Sequence, residues 1–303
     1  MNKSFTLIEI LVVIVVIGIL SAFILVGMSS ISNSANIAKG KAFSNSLRNS
    51  LLMNLVSEWK FDGPTTIDQT ATADDLKDNW NTNNGSISSA PKVKGGNDCV
   101  SGKCIYFDGI DDYISAVDSP TLDITDNITL EVWVNNYNVD AGYTFLIRKE
   151  TPGYDFTIYP GGGLVFMIFH YYDTAWRTSS CTAVSTLKSD KFYHLTATFQ
   201  KNTFLKIYIN GVLNVTCATS FNYGIGTNNN NLLFGYLGWW GSNNAYLNGI
   251  MDEIRIYNEA VSTTQIEQNY YIGTNRLFIH DLSDKMEYIK RIVDLKQSLV
   301  NNN

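Results

Sequence analysis

Nineteen consecutive residues, Ile10 to Met28 (ILVVIVVIGILSAFILVGM), carry no charge. A run of that length is enough to span a bilayer as a helix, and it fixes the compartment of everything after it. Lys3 is the one basic side chain ahead of it, and Glu9 sits at its edge. A secretory signal peptide has a shorter apolar region with a small-residue cleavage site behind it, and its charge lies wholly in front. Glu9 departs from that pattern. A carboxylate at membrane depth costs on the order of 2–4 kcal/mol and calls for a cationic partner. Cleavage between Ser4 and Phe5 supplies one, because the freed α-amino group lies four residues before Glu9, available to that carboxylate or to a neighbouring helix's.

The segment Lys3-Ser4-Phe5-Thr6-Leu7-Ile8-Glu9 followed by ILVVIVVIGIL resembles the processing signal of bacterial type IV prepilins and pseudopilins. The resemblance implies a leader of residues 1–4, removal of that leader by a prepilin peptidase and N-methylation of Phe5. It also implies packing of the apolar helices, residues 5–28, into a filament core, where Glu9 neutralises the N-terminus of an adjacent subunit. The family usually has Gly before the cut, where this chain has Ser4. Other pilin-like subunits are then the partners, and the route runs from the bacterial inner membrane to an extracellular filament on the cell surface.

No Pro precedes Pro64, so nothing forces a break in a helix from Phe5 to about Val56. Beyond Met28 the residues Ile31, Ala35, Ala38 and Ala42, then Leu47, Leu51 and Leu55, recur at spacings of three to five, which lays one stripe along a polar helix. About fifty residues at 1.5 Å each make a helix roughly 75 Å long. In the pilin resemblance its second half packs on a globular head; as a plain anchor it is a solvated stalk.

From Trp59 onward the period changes from helix to strand. Cys104–Phe107, Ile128–Val134, Leu164–Phe169, Phe192–Phe199, Leu205–Ile209 and Ile250–Tyr257 are short β-branched or aromatic runs between Gly, Asn and Asp, and Asn210-Gly211 is a two-residue hairpin signal. Aromatics make up 13% of the chain and charged residues only 17%, a balance that fits one antiparallel β-sandwich rather than a disordered or coiled-coil segment.

Six segments carry a second resemblance: Trp59-Lys60-Phe61-Asp62-Gly63, Tyr106 to Ile114, Ile128 to Val134, Phe192 to Phe199, Ile207 to Leu213 and Gly249 to Ala260. In this order they look like the laminin-G-like, concanavalin A-like jelly roll of bacterial surface proteins, over about residues 57–270. The expected fold is thus a long N-terminal transmembrane α-helix (5–56), an all-β antiparallel jelly-roll sandwich (57–273) and a tail (274–303) with a short amphipathic helix over Ser283–Val300. That family includes sugar binders, protein binders and spacers, so the fold alone does not choose among them.

Asp62, Asp108, Asp111, Asp112, Asp252 and Glu253 lie near strand ends. Grouped hard oxygens suit Ca²⁺, which takes about six to eight of them; acids at such places equally cap turns through backbone N–H groups. The resemblance favours Asp62 and Asp252 for a structural calcium, since the first and last strands of such sandwiches lie close together. Glycan recognition needs exposed aromatic faces beside polar groups. Tyr236, Trp239 and Trp240 with Ser242 to Asn244 form one such set, and Tyr172 and Trp176 belong to another. The alternative is packing of these aromatics over the sandwich end. Trp133, in an alternating strand, is expected in the core.

Three scattered His residues, His170, His194 and His280, and the lack of a nucleophile elbow, phosphate loop or His/Cys metal spacing argue against an enzyme. With Lys+Arg 22 against Asp+Glu 28, a net charge of −6, nucleic acid is not an expected partner. Export exposes the four Cys residues to an oxidising space. Cys99 and Cys104 close around a turn, which leaves Cys181 with Cys217, although sequence permits three connectivities. Loop entropy gives about 2 kcal/mol for the short bridge and about 4 for the long one. The reading is a type IV pilin-like or pseudopilin subunit with a lectin-like head for adhesion or glycan, surface or substrate binding. Its rival is a monomeric, inner-membrane-anchored carbohydrate-binding protein that enters no filament.

Overall fold

Alternating apolar runs become fifteen strands in the computed structural model, which describes residues 54–278 apart from 141, 173–174, 220–222 and 237–245. In chain order these are β1 (Leu55–Trp59), β2 (Gly85–Ser88), β3 (Lys92–Gly95), β4 (Lys103–Asp108), β5 (Tyr113–Ala116), β6 (Asn127–Asn136), β7 (Thr144–Lys149) and β8 (Tyr154–Tyr159). They continue as β9 (Gly163–Tyr172), β10 (Ala175–Thr186), β11 (Phe192–Gln200), β12 (Phe204–Ile209), β13 (Val212–Ala218), β14 (Leu232–Phe234) and β15 (Asn248–Tyr257), followed by a helix, α1 (Thr263–Phe278).

An eight-stranded sheet runs β13-β12-β11-β6-β15-β4-β3, with β1 also paired to β15, and a seven-stranded sheet runs β10-β9-β8-β7-β14-β5-β2. Every pairing is antiparallel, and β15 receives β4 along its first half and β1 along its second. First and last strands therefore adjoin. Asn210 and Gly211 turn the β12–β13 hairpin with φ of 52° and 75°, the doubly positive turn that matches strand twist.

Pleating decides the layers. Along β6, Ile128, Leu130, Val132 and Val134 enter the core between the sheets, so Thr129, Glu131 and Trp133 face the other way. They are buried nonetheless, because α1 lies over that outer face. Asn269 of α1 donates to Glu131 at 2.8 Å, and Tyr270 stacks on Trp133 with ring centroids 5.7 Å apart. Gly273 marks the closest approach, since a Cβ there would sit 2.5 Å from the Trp133 ring. Trp133 is thus core as expected from its burial, but of a second layer between sheet and helix.

The same layer holds a buried charge cluster. Arg255 Nε donates to Glu58 at 2.8 Å and its Nη1 to Glu131 at 2.8 Å, while Nη2 donates to Glu253. Burial works against the Glu131 charge, yet His194 at 3.3 Å together with Arg255 and Asn269 pulls its carboxyl down to about 2. Burial likewise opposes the Arg255 charge, and Glu253 and Glu131 hold the guanidinium protonated.

The two disulfides follow the expected pairing. Cys99–Cys104 closes the loop leading into β4, and Cys181–Cys217 staples β10 to β13, the adjoining edge strands of the two sheets.

Two element boundaries differ from the sequence expectation. Leu55 and Val56 open β1 instead of ending the long helix; the period-four leucine stripe reads through a segment whose backbone is claimed by pairing with Tyr257 and its neighbours. Helix α1 crosses the expected 273/274 boundary. Its Thr, Asn, Tyr and Gly residues are weak helix formers, so its stability comes from the sheet it covers. The membrane helix over 5–28, its extension and the helix over Ser283–Val300 lie outside the described residues. Among the described residues no helix is long and apolar enough to cross a membrane.

Candidate functional site

The carboxylates sort by what their oxygens already hold. Asp252 is buried where β15 bulges; its Oδ2 accepts the Val100 and Ser101 N–H groups at 2.9 and 3.0 Å, and its Oδ1 accepts from Glu253 at 2.8 Å. Burial, then the charges of Glu253 and Asp62, push its carboxyl well up. Asp62 accepts the Lys103 N–H at 2.8 Å. Gly102, at φ 53°, lets the loop pass so close that a Cβ would lie 2.0 Å from Asp62 Oδ1. Asp62 and Asp252 are therefore the clamps of the disulfide-closed loop. These N–H groups are partners that the two carboxylates hold without a cation.

Asp108, Asp111 and Asp112 bring one oxygen each to within 4.8 Å of one another. Asp112 is spent on the Ala90 and Asp108 N–H groups at 2.9 and 3.1 Å, and Asp108 Oδ1 accepts from Ile110 at 2.8 Å. Burial raises the Asp112 carboxyl, with its two neighbours adding to the effect. Asp108 is half-buried and Asp111 exposed. This group is thus an acidic cluster in which one carboxylate, that of Asp111, is exposed.

The two aromatic sets lie at opposite ends of the seven-stranded sheet. Tyr236 and Tyr246 form a bridge just beyond the end of β14 and stack with centroids 4.5 Å apart; Tyr236 also stacks on Tyr113 of β5 at 4.7 Å. Trp239 and Trp240 belong to the segment between those tyrosines and lie outside the described residues. Tyr172 and Trp176 are in the β9–β10 hairpin, at the end where β14 begins.

Between the two ends, the outer face of this sheet carries polar groups that the sequence did not single out. Phe156 and Ile158 point into the core, which turns Asp155 and Thr157 outward. Arg148 Nε lies 3.3 Å from Asp155. Burial pushes the Asp155 carboxyl up to about 7 against the pull of Arg148, and Thr157 Oγ1 is buried with no hydrogen-bond partner among the described residues. The only sequence signal for this row was the polar half of the Tyr154-Asp-Phe-Thr-Ile alternation. His170 is spent on Gly224 O and Ser179 Oγ, both at 2.9 Å, and His280 lies outside the described residues.

Residues 108–267, just over half of the chain, match the laminin G description within the concanavalin A-like lectin/glucanases superfamily. The chain belongs to that superfamily. In this lectin-like chain, residues 1–25 match the prokaryotic N-terminal methylation motif, so a prepilin-type start and a lectin-type sandwich are joined. No curated protein matches it. Among solved structures, the binding domain of Paraclostridial Mosquitocidal Protein 1 is similar, with a TM-score of 0.57, 18% identity, and coverage of 73% of this chain and 53% of that one. Domain 4 of AbnA, an extracellular arabinanase from Geobacillus stearothermophilus, was solved with arabinotriose; its TM-score is 0.51 at 19% identity, over 71% of this chain and 97% of that one. The botulinum neurotoxin serotype D ligand-binding domain, solved with N-acetylneuraminic acid, has a TM-score of 0.51 at 16% identity, over 70% and 51%. The chain spans about half the length of the toxin domains it matches, and these likenesses are of fold.

Proposed function

We propose that this chain is a type IV pilin-like or pseudopilin subunit that displays a lectin-like head on a filament, for adhesion or for binding of glycans, a surface or a secreted substrate. The observation that carries this reading is the union, in one chain, of the methylation motif and its Glu9 with a lectin-family sandwich. A plain anchor has no use for an acid at the edge of a bilayer span. The sugars held by the arabinanase and neurotoxin domains support a glycan as ligand class. Many heads on one filament multiply weak individual contacts. In this reading the head binds rather than catalyses, and the engagement of His170 and His194 inside the fold supports it.

A structural calcium ion within this reading belongs at Asp108, Asp111 and Asp112. Calcium at about a hundred times its Kd would add about 2.7 kcal/mol to stability. Melting of the full chain in detergent is expected to rise when calcium replaces EDTA, and Asp111→Asn to remove most of the rise; identical melts in calcium and EDTA would exclude the ion.

Ser4 in place of the usual Gly favours the rival, an uncleaved inner-membrane-anchored carbohydrate binder. Mass spectrometry of the N-terminal peptide from sheared surface material separates the two. The filament reading expects a peptide that begins at methylated Phe5. A start at Met1 confined to membranes would overturn it.

A further inference from the structure

A cavity of about 440 Å³ opens at the end of the sandwich where β1 and β6 begin and β15 ends, lined in part by Leu55, Asn81, Asp123, Thr125, Asn127 and Asn258. Its size falls within the roughly 300–1,000 Å³ of small-ligand pockets. It lies at the end of the sandwich away from the Tyr113–Tyr236–Tyr246 stack, so it is a place separate from that stack. Four of its lining residues, Leu55, Val56, Pro120 and Ile124, are apolar and the others are amides, hydroxyls and carboxylates. Such a mixture matches a sugar ring, which offers C–H faces and hydroxyl edges together.

The wall is held in place from behind. Lys149 is only 1% exposed, and its ammonium meets Asp118, the carbonyls of Asn228 and Asn230 at 3.2 and 3.0 Å, and Asp123 at 3.5 Å. Two carboxylates and two carbonyls thus converge on a cation that the chain itself supplies, and they tie the 118–123 segment to the 228–230 segment. On the other side Lys201 pairs with Asp126 at 2.6 Å, and its backbone N–H donates to Asn127 Oδ1 at 3.2 Å. Each acid of the wall has a lysine beside it, yet Asp123 Oδ1 is buried with no hydrogen-bond partner among the described residues.

Apart from Asp123 Oδ1, an acceptor for a hydroxyl, what remains for a ligand is neutral. The Asn127 amide nitrogen still has its protons to donate, and the Thr125 hydroxyl and Asn258 amide have no hydrogen-bond partner among the described residues. An anionic sugar would meet Asp123 and Asp126 with both lysines already taken. We propose that this cavity binds a neutral sugar residue of a glycan, through Thr125, Asn127 and Asn258. This assignment rests on the glycan-binding reading above and gives it a location and a charge class.

The test is titration of the full chain in detergent with maltotriose, xylotriose, chitotriose, lactose and 3′-sialyllactose, followed by ligand-observed NMR. Two variants accompany it: Asn258→Trp, which fills the mouth from a position with no partner to lose, and Thr125→Val, which keeps the side-chain shape. At least one neutral sugar is expected to bind, with affinity at least tenfold weaker in each variant, and 3′-sialyllactose to bind no better than its neutral core. If Asn258→Trp fails to fold, Thr125→Val alone carries the comparison. Neutral binding that both variants retain would overturn the location and leave the glycan reading standing. Binding of 3′-sialyllactose alone would overturn the charge class. A wild-type chain that binds none of the five would overturn this inference, while failure of the broader glycan reading would require silence on a full glycan array as well.

Discussion

Replacing Arg255 by Ala is expected to destabilise the head by about 3–5 kcal/mol, the usual effect of removing one member of a buried ionic group. For a domain of this size each kcal/mol shifts melting by about 2–4 °C, so a fall of about 10–15 °C is expected by scanning fluorimetry of the full chain. The cause is what stays behind. Glu58, Glu131 and Glu253 have side chains at most 4% exposed, and Arg255 is the group that touches all three. Lys60 also reaches Glu58 at 3.2 Å and His194 reaches Glu131 at 3.3 Å, so the loss is softened at those two carboxylates. Arg255→Lys is expected to recover only part of the difference, because an ammonium cannot present a planar fork to three carboxylates. A fall of less than about 3 °C in the alanine variant would show that the cluster does not depend on its arginine.

The same cluster sets a pH dependence whose sign follows from Glu131. Its carboxyl is held at about 2 in the fold against an ordinary 4.5, so its contribution is fully present above pH 4.5 and is lost as pH falls toward 2. The difference corresponds to about 3 kcal/mol. Glu131→Gln is therefore expected to melt below the wild type at pH 7, with the gap closing between pH 4.5 and 2. A gap of constant size down to pH 2.5 would point to packing rather than charge.

How much of this was legible in the sequence depended on whether the signal was local. The alternation of Ile128–Val134 and the Asn210-Gly211 turn are local, and both appear where expected because side-chain period and turn chemistry follow from a few neighbouring residues. Cys181 and Cys217 were paired by elimination, and the structure supplies the reason, since they face each other from adjoining edge strands. Helix α1 was not legible. Its residues have little helical preference, and what holds it is Trp133, Glu131 and Tyr208, which lie 55 or more residues away in sequence. Leu55 was misread for the converse reason, as a continuing leucine stripe outweighed a strand partner two hundred residues further on. The acids near strand ends were legible as a group but not by role. Only their hydrogen bonds separate Asp62 and Asp252, clamps on a disulfide-closed loop, from the outward Asp111.

Glu9→Val is expected to abolish incorporation into surface filaments while leaving the head folded, a reduction of at least tenfold in the sheared fraction at unchanged total protein. The argument is energetic. In a membrane or a filament core made of nineteen uncharged residues, an unpaired carboxylate costs on the order of 2–4 kcal/mol, whereas a carboxylate paired with the α-amino group of a neighbouring Phe5 neutralises two buried charges at once. On the filament reading valine removes the cost and the pairing together, so insertion into the membrane is expected to improve while the contact that would fix one subunit's height against the next is lost. Glu9→Gln keeps the shape without the charge and is expected to fail in the same way, which excludes a steric cause. An immunoblot of sheared and membrane fractions reads both variants. Equal amounts of wild type and Glu9→Val in the sheared fraction would mean that Glu9 sets no register, and the anchored binder would then be the better account of a chain that joins a methylation motif to a lectin-like head.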